Sequence, residues 1–170
     1  MSPLVKACLA GQIVLLAHAA SGTDRRATLP PERMSAAEIA HRPTLGAIAG
    51  TSGLAGIRTI VLAGDPARAG IYVIELQVPA HARIAAHQHR DDRTAVVTSG
   101  TWHFGYGRAA DDDGSKPLGP GSFYTEPANM AHFAHTDGDP VTVIITGDGP
   151  TDTRYEASSA SHATPGRNQP

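Results

Sequence analysis

Cysteine is almost missing from this chain: its 170 residues hold one, Cys8, so no intrachain disulfide framework can form. Charge is sparse as well, with charged residues at 18% and a net charge of −2. No Lys/Arg stripe or cluster occurs, which argues against a nucleic-acid-binding surface. Aromatic residues make up 5%. No long apolar run is present. The stretch Ala7 to Ala17 is interrupted by Gly11 and Gln12 and falls short of the about 20 apolar residues a bilayer span requires. Phosphate-cradling glycine signatures are missing too, since Gly105-Tyr-Gly107 lacks the remaining spacing. Asp111-Asp-Asp-Gly114 lacks the later ligands of a calcium loop and reads as a tight acidic turn.

What the chain does have is punctuation. Its 18 Gly and 13 Pro cut it into short pieces, favouring strands and turns over long helices. Residues 1–20 read as a secretory signal peptide: Lys6, a short apolar region, then the small-x-small pattern Ala17-His18-Ala19. That predicts a periplasmic or secreted protein, and a cytoplasmic one if the N-terminus is retained. Cys8 lies near the start of the apolar stretch, not after it, so a lipid anchor on it is not expected. Residues 21–55 read as an N-terminal arm packed outside the main domain, with Ser35 and Glu38 spaced as a capping box for one helical turn. Residues 56–150 read as one β domain, and residues 151–170 as a flexible polar tail.

Within 56–150 the expected strands are 58–62, 71–78, 94–98, 101–106, 122–125, 132–136 and 141–146. Over 71–78, Tyr72, Ile74, Leu76 and Val78 share one face while Glu75 and Gln77 share the other. Short strands separated by Gly, Pro and Asp predict an all-β sandwich or barrel.

The pair His87-Gln88-His89 carries the chemistry. Side chains two apart on a strand point to one face, so both imidazoles aim at one point, and His132 from another strand would complete a three-nitrogen metal site. The competing reading is a metal-free barrel with remnant histidines. Three imidazoles crowded together without an ion or water would leave nitrogens unsatisfied. His103, in Trp102-His103-Phe104, is a candidate acid/base or a solvent-facing residue. His135 falls on the opposite face from His132 by alternation, and His81 sits in a turn. Trp102, Phe104, Tyr106, Phe123 and Tyr124 read as core and pocket wall, and Ala95 and Val97 as a small apolar lining on the face of Arg93.

The spacing His87-x-His89-x3-Arg93-x6-Gly100, followed by Gly121-x5-Pro127-x-Asn129-x2-His132-x3-Thr136, resembles the two motifs of the cupin superfamily over about residues 56–148. More closely it resembles small exported bacterial cupins carrying a His-x-His … Ser-Gly-Thr block and a Pro-Ala-x-x-x-His-Phe block. The resemblance implies a single-domain cupin jelly-roll β-barrel, a divalent metal ion inside its wider mouth, and a homodimer. His87, His89 and His132 carry over as metal ligands. The motif glutamate does not, because Arg93 holds its position. Asn129 stands for a glycine and Thr136 for an asparagine.

Arginine cannot ligate a metal and is repelled by a dication unless an anion intervenes. Asp91, Asp92, Glu126 or an anionic substrate could supply it. Glu126 stands where the motif has an apolar residue, so it is either a swapped ion-pair partner or a replacement ligand. The resulting expectation is a small-molecule enzyme of the oxygenase type with a three-His centre, Arg93, Glu126 and His103 being its other site residues. The alternatives are an exported metal- or ligand-binding cupin without turnover, a metal-dependent isomerase, decarboxylase or lyase, and a structural dimeric barrel. Nitrogen ligands suit Fe, Zn, Cu and Ni, and Mn also remains a candidate.

Overall fold

Alternating apolar residues on 71–78 and 141–147 are what hold the two layers together. The computed structural model describes residues 28–110 and 114–157. The signal-peptide segment, Asp111–Asp113 and the last residues of the tail therefore lie outside the described residues. One short helix, α1 (Ala36–Ala40), opens the described chain. It carries the capping box: Glu38 N–H donates to the Ser35 side chain, and Ser35 N–H donates back to Glu38.

Ten strands follow: β1 (Arg58–Ala63), β2 (Gly70–Val78), β3 (Arg83–Gln88), β4 (Arg93–Ser99), β5 (Trp102–Tyr106), β6 (Ser115–Leu118), β7 (Phe123–Glu126), β8 (His132–His135), β9 (Val141–Gly149) and β10 (Arg154–Tyr155). They form two antiparallel five-stranded sheets, ordered β1-β2-β9-β4-β7 and β10-β3-β8-β5-β6. All seven expected strands are present. Three were not individually expected. β3 carries His87. β6 contains Pro117, which an edge strand tolerates because it need not donate on its free side. β10 lies within the segment read as a tail.

Tyr72, Ile74, Leu76 and Val78 on β2 lie beside Val141, Val143 and Ile145 on β9 on one face of the sheet, and Trp102, Phe104 and Ala134 close the core from the opposite sheet. Glu75 and Gln77 fall on the outer face, as the period-2 pattern predicts. The left-handed Asn129 (φ 60°) takes the place of the motif glycine, a conformation Asn tolerates better than most residues. Its N–H donates to the His89 carbonyl at 2.7 Å, fixing the turn before β8 beside the end of β3. Buried Thr136 donates to the Pro79 carbonyl at 2.7 Å and accepts from Ala82 N–H at 2.9 Å, so it anchors the end of β8 to the β2–β3 turn.

Residues 151–157, expected as the start of a free tail, are bound to the barrel instead. β10 pairs with β3, setting Tyr155 opposite His87. Tyr155 donates its hydroxyl to the Ser52 carbonyl, and Thr153 donates to the Thr51 carbonyl at 2.9 Å. The N-terminal arm and the C-terminal segment are thus joined to each other across one end of the barrel.

Ile74 is fully buried at the centre of this core. Ile74→Ala is expected to lower the unfolding free energy by about 2–5 kcal/mol, read as a drop in urea midpoint at unchanged slope.

Candidate metal centre

His87 sits on β3, His89 just past its end, and His132 begins β8, the neighbouring strand with which His87 is in direct register. All three are buried. Ring centroids are 4.4 Å apart for His87–His132, 4.9 Å for His87–His89 and 5.1 Å for His89–His132. One ligand nitrogen of each lies within 4.8 Å of the others.

The other ring nitrogen is fixed in every case. His87 Nδ1 is 2.8 Å from the Ala85 carbonyl, His89 Nδ1 is 2.6 Å from the Asp152 carbonyl, and His132 Nδ1 is 3.0 Å from the Met130 carbonyl. A carbonyl only accepts, so each Nδ1 carries the proton and each Nε2 is left with its lone pair. Among the described residues, His89 Nε2 and His132 Nε2 are buried and have no hydrogen-bond partner. Orphaned lone pairs of this kind are costly in a protein interior. A divalent cation satisfies them, and the carbonyl acceptors behind the rings are the usual outer support of a ligating histidine. The donor set therefore fits a metal ion.

Burial pushes the His87 imidazolium down to about 4, and neighbouring His132 adds to this. Burial likewise pushes His89 down to about 3, with the Arg93 charge adding to it. Burial lowers His132 as well. All three are neutral near neutral pH, the form that ligates.

Arg93 on β4 lies in direct register with Glu126 on β7. Arg93 Nε donates to Glu126 Oε2 at 2.5 Å, its Nη2 pairs with the same oxygen, and its Nη1 donates to the Gly50 carbonyl at 2.6 Å. Of the three carboxylate side chains weighed for Arg93, only Glu126 contacts it among the described residues. Asp91 instead accepts from the Tyr72 hydroxyl at 2.8 Å, and Asp92 accepts from Ala128 N–H at 2.8 Å. Glu126 Oε2 also lies 3.7 Å from His89 Nε2 and 3.8 Å from His132 Nε2. Burial by itself would raise the Glu126 carboxyl, but the Arg93 charge and the two histidines outweigh it and hold the group at about 2. An ionised carboxylate thus stands between the arginine and the imidazole nitrogens.

His103 does not join this group. Trp102 and Phe104 on either side of it line the cavity, so alternation turns His103 to the other face of β5. There it contacts Asp137 and stacks on His135. The role of pocket acid/base expected for His103 is corrected accordingly. Ala95 and Val97 are buried inside the barrel as expected. The space beside the centre is walled by Leu76, Ile84, Trp102, Phe104, Tyr124 and Ile145 and capped by Gly50–Ser52 of the arm. Its free volume is about 20 Å³, room for about one water. The segments 50–52 and 151–155 went unrecognised in the sequence as site elements: Gly50, Thr51, Ser52 and Asp152 act through backbone carbonyls, and Thr153 and Tyr155 bind those of Thr51 and Ser52.

Two expectations follow. Arg93→Met leaves a buried carboxylate without its partner and should cost about 3–5 kcal/mol in a urea titration, much of it recovered by adding Glu126→Gln. In chelator-treated protein, His87, His89 and Glu126 all hold protons more weakly folded than unfolded. The histidine contribution is complete above about 6.5 and is lost as pH falls through about 4 and about 3; that of Glu126 is complete above about 4.5 and is lost through about 2. Each tenfold weakening of proton binding is worth ~1.4 kcal/mol, so acidification from about pH 7 to about pH 4 should cost a few kcal/mol. A urea midpoint that stays level over that range would contradict the buried neutral imidazoles.

No family model matches the sequence, and no curated protein matches it. Solved structures do match its fold. The polyketide cyclase RemF from Streptomyces resistomycificus aligns with a TM-score of 0.61 at 15% identity, covering 77% of this chain and 89% of that one. A sugar phosphate isomerase of the cupin superfamily from Silicibacter pomeroyi aligns with a TM-score of 0.50 at 20% identity, covering 69% and 76%. A DMSP lyase structure (RdDddP and RnDddQII) aligns with a TM-score of 0.51 at 22% identity, covering 64% of this chain, which spans 57% of that one. With two five-stranded antiparallel sheets enclosing the histidine cluster, and with these neighbours, the chain folds as a cupin jelly-roll barrel.

Proposed function

We propose that this chain is a divalent-metal enzyme of the oxygenase type acting on a small organic molecule, its ion held by His87, His89 and His132. The observation that carries the reading is the pair of buried, unpartnered Nε2 atoms on His89 and His132, each with its Nδ1 proton committed to a carbonyl. A divalent ion bound there supplies Lewis acidity, and as Fe(II) it supplies a place for O₂ chemistry. The three imidazoles bind, and their carbonyl partners keep the rings oriented. Arg93 holds Glu126 in place and ionised, so its carboxylate is available as a fourth ligand or as a proton acceptor beside the ion. Leu76, Ile84, Phe104 and Ile145 keep bulk water out.

A second reading, metal-assisted proton transfer in an isomerase, decarboxylase or lyase, is favoured by one feature: the ionised Glu126 carboxylate lies within 4 Å of two ligand nitrogens. A base so placed suits abstraction of a proton from a metal-polarised substrate. Either chemistry requires the arm residues 50–52 and the 151–155 segment to give way, since the remaining space holds about one water. Export to the periplasm or cell exterior and assembly as a homodimer belong to the same proposal; the former rests on residues 1–20, the latter on the resemblance.

Elemental analysis of freshly purified protein should find one divalent transition metal at this centre per chain, and the His132→Ala variant should retain less than about a tenth of it. Full retention in that variant would remove His132 from the ligand set. Oxygen uptake with diketone, thiol and phenol probes then separates the two chemistries. A metal-loaded protein inert to these probes and to isomerisation or elimination assays would be a binding protein instead.

A further inference from the structure

A second group of metal-type donors lies on the outer face of the same sheet. His103 on β5 and His135 on β8 are in direct register, and their rings stack at 4.4 Å with 12° between planes. Asp137, two residues beyond His135 and so on its side of the chain, brings Oδ2 to 2.9 Å from His103 Nε2. One nitrogen of each ring and one Asp137 oxygen all lie within 4.8 Å of one another.

The backbone that presents Asp137 is firmly held. Its own carbonyl accepts from His81 N–H at 2.7 Å, and Thr136 before it donates N–H to the Ala82 carbonyl at 3.0 Å and Oγ1 to the Pro79 carbonyl at 2.7 Å. His135 is buried, the His103 side chain is 20% exposed and the Asp137 side chain 71% exposed. The group is therefore anchored below and open above, so an ion could enter from solvent and keep water in its remaining positions.

We infer that His103, His135 and Asp137 form a second divalent-cation site, separate from the three-histidine centre. Two imidazoles and a carboxylate suit Zn²⁺, Ni²⁺, Cu²⁺ or Fe²⁺. Donors at about 2.0–2.2 Å from one ion lie roughly 3–3.5 Å apart. His103 and Asp137, at 2.9 Å, lie just inside that spacing, and the near-parallel rings must close by roughly 1.5 Å at most and turn until their lone pairs converge. The exposed Asp137 side chain can follow by rotation. Occupied, the site would tie β5, β8 and, through the Pro79–Ala82 turn, the end of β2 into one cross-linked corner.

The test is a zinc titration of the full chain after chelator treatment, followed by calorimetry against a competing chelator. His103→Ala and Asp137→Asn should each remove one equivalent, or weaken it at least about tenfold, while the His132→Ala variant keeps that equivalent. His103 is partly exposed, so its truncation is expected to leave the fold intact, checked by circular dichroism. The site is scored by the equivalent that His103→Ala removes, so it stands or falls independently of the three-histidine centre. If neither His103→Ala nor Asp137→Asn removes or weakens any equivalent, His103 and Asp137 are an ion pair and nothing more, and the inference is overturned.

Discussion

The buried pairing of Arg93 with Glu126 is the constraint around which the interior of this barrel is arranged. Removing both charges from water costs several kcal/mol per ion, and the structure offsets this by giving the guanidinium the carboxylate and the Gly50 carbonyl together. Each partner needs the other at close to its present position. The register of β4 with β7 supplies that position directly, since Arg93 and Glu126 are paired residues. Through Gly50 the same guanidinium also draws the N-terminal arm over the barrel mouth. One ion pair thus sets the local electrostatics, joins two strands of one sheet and anchors a segment from outside the barrel.

It also explains how an arginine can lie buried beside three imidazoles. The negative charge sits on β7, facing the imidazole nitrogens with a cation behind it. A carboxylate held by arginine is a weaker electron donor to a metal than a free one, because its charge is shared. The ion at such a centre would be more Lewis-acidic than at a site with an unpaired carboxylate.

Much of this was legible in the sequence, for identifiable reasons. His87 and His89 are spaced by the strand period, and His132 stands in a turn-then-strand motif, so residue type and parity suffice. Glu126 stood out because a charge replaced an expected apolar residue, but three carboxylate side chains competed for Arg93, and only strand register could choose among them. The parity of His103 was present in its apolar neighbours Trp102 and Phe104. The enclosure of the site was not legible. Gly50, Thr51, Ser52 and Asp152 contribute backbone carbonyls, and every residue type offers the same oxygen whatever its side chain. β10 has two residues and no apolar periodicity, so it looks like tail until its partner strand is seen.

The hydrogen bond from His89 to the Asp152 carbonyl spans 63 positions of chain. It makes one corner of the donor set depend on a stretch that composition alone would invite a protease, or an experimenter trimming the ends, to remove. Loss of the residues from 151 onward would spare His87, His89 and His132, the ion pair and the nine preceding strands. It would also strip the acceptor that holds the His89 tautomer, release the Thr51 and Ser52 carbonyls and uncover the His87 ring. The terminal segment is thus part of the wall of the centre, although it contributes no side chain to the donor set.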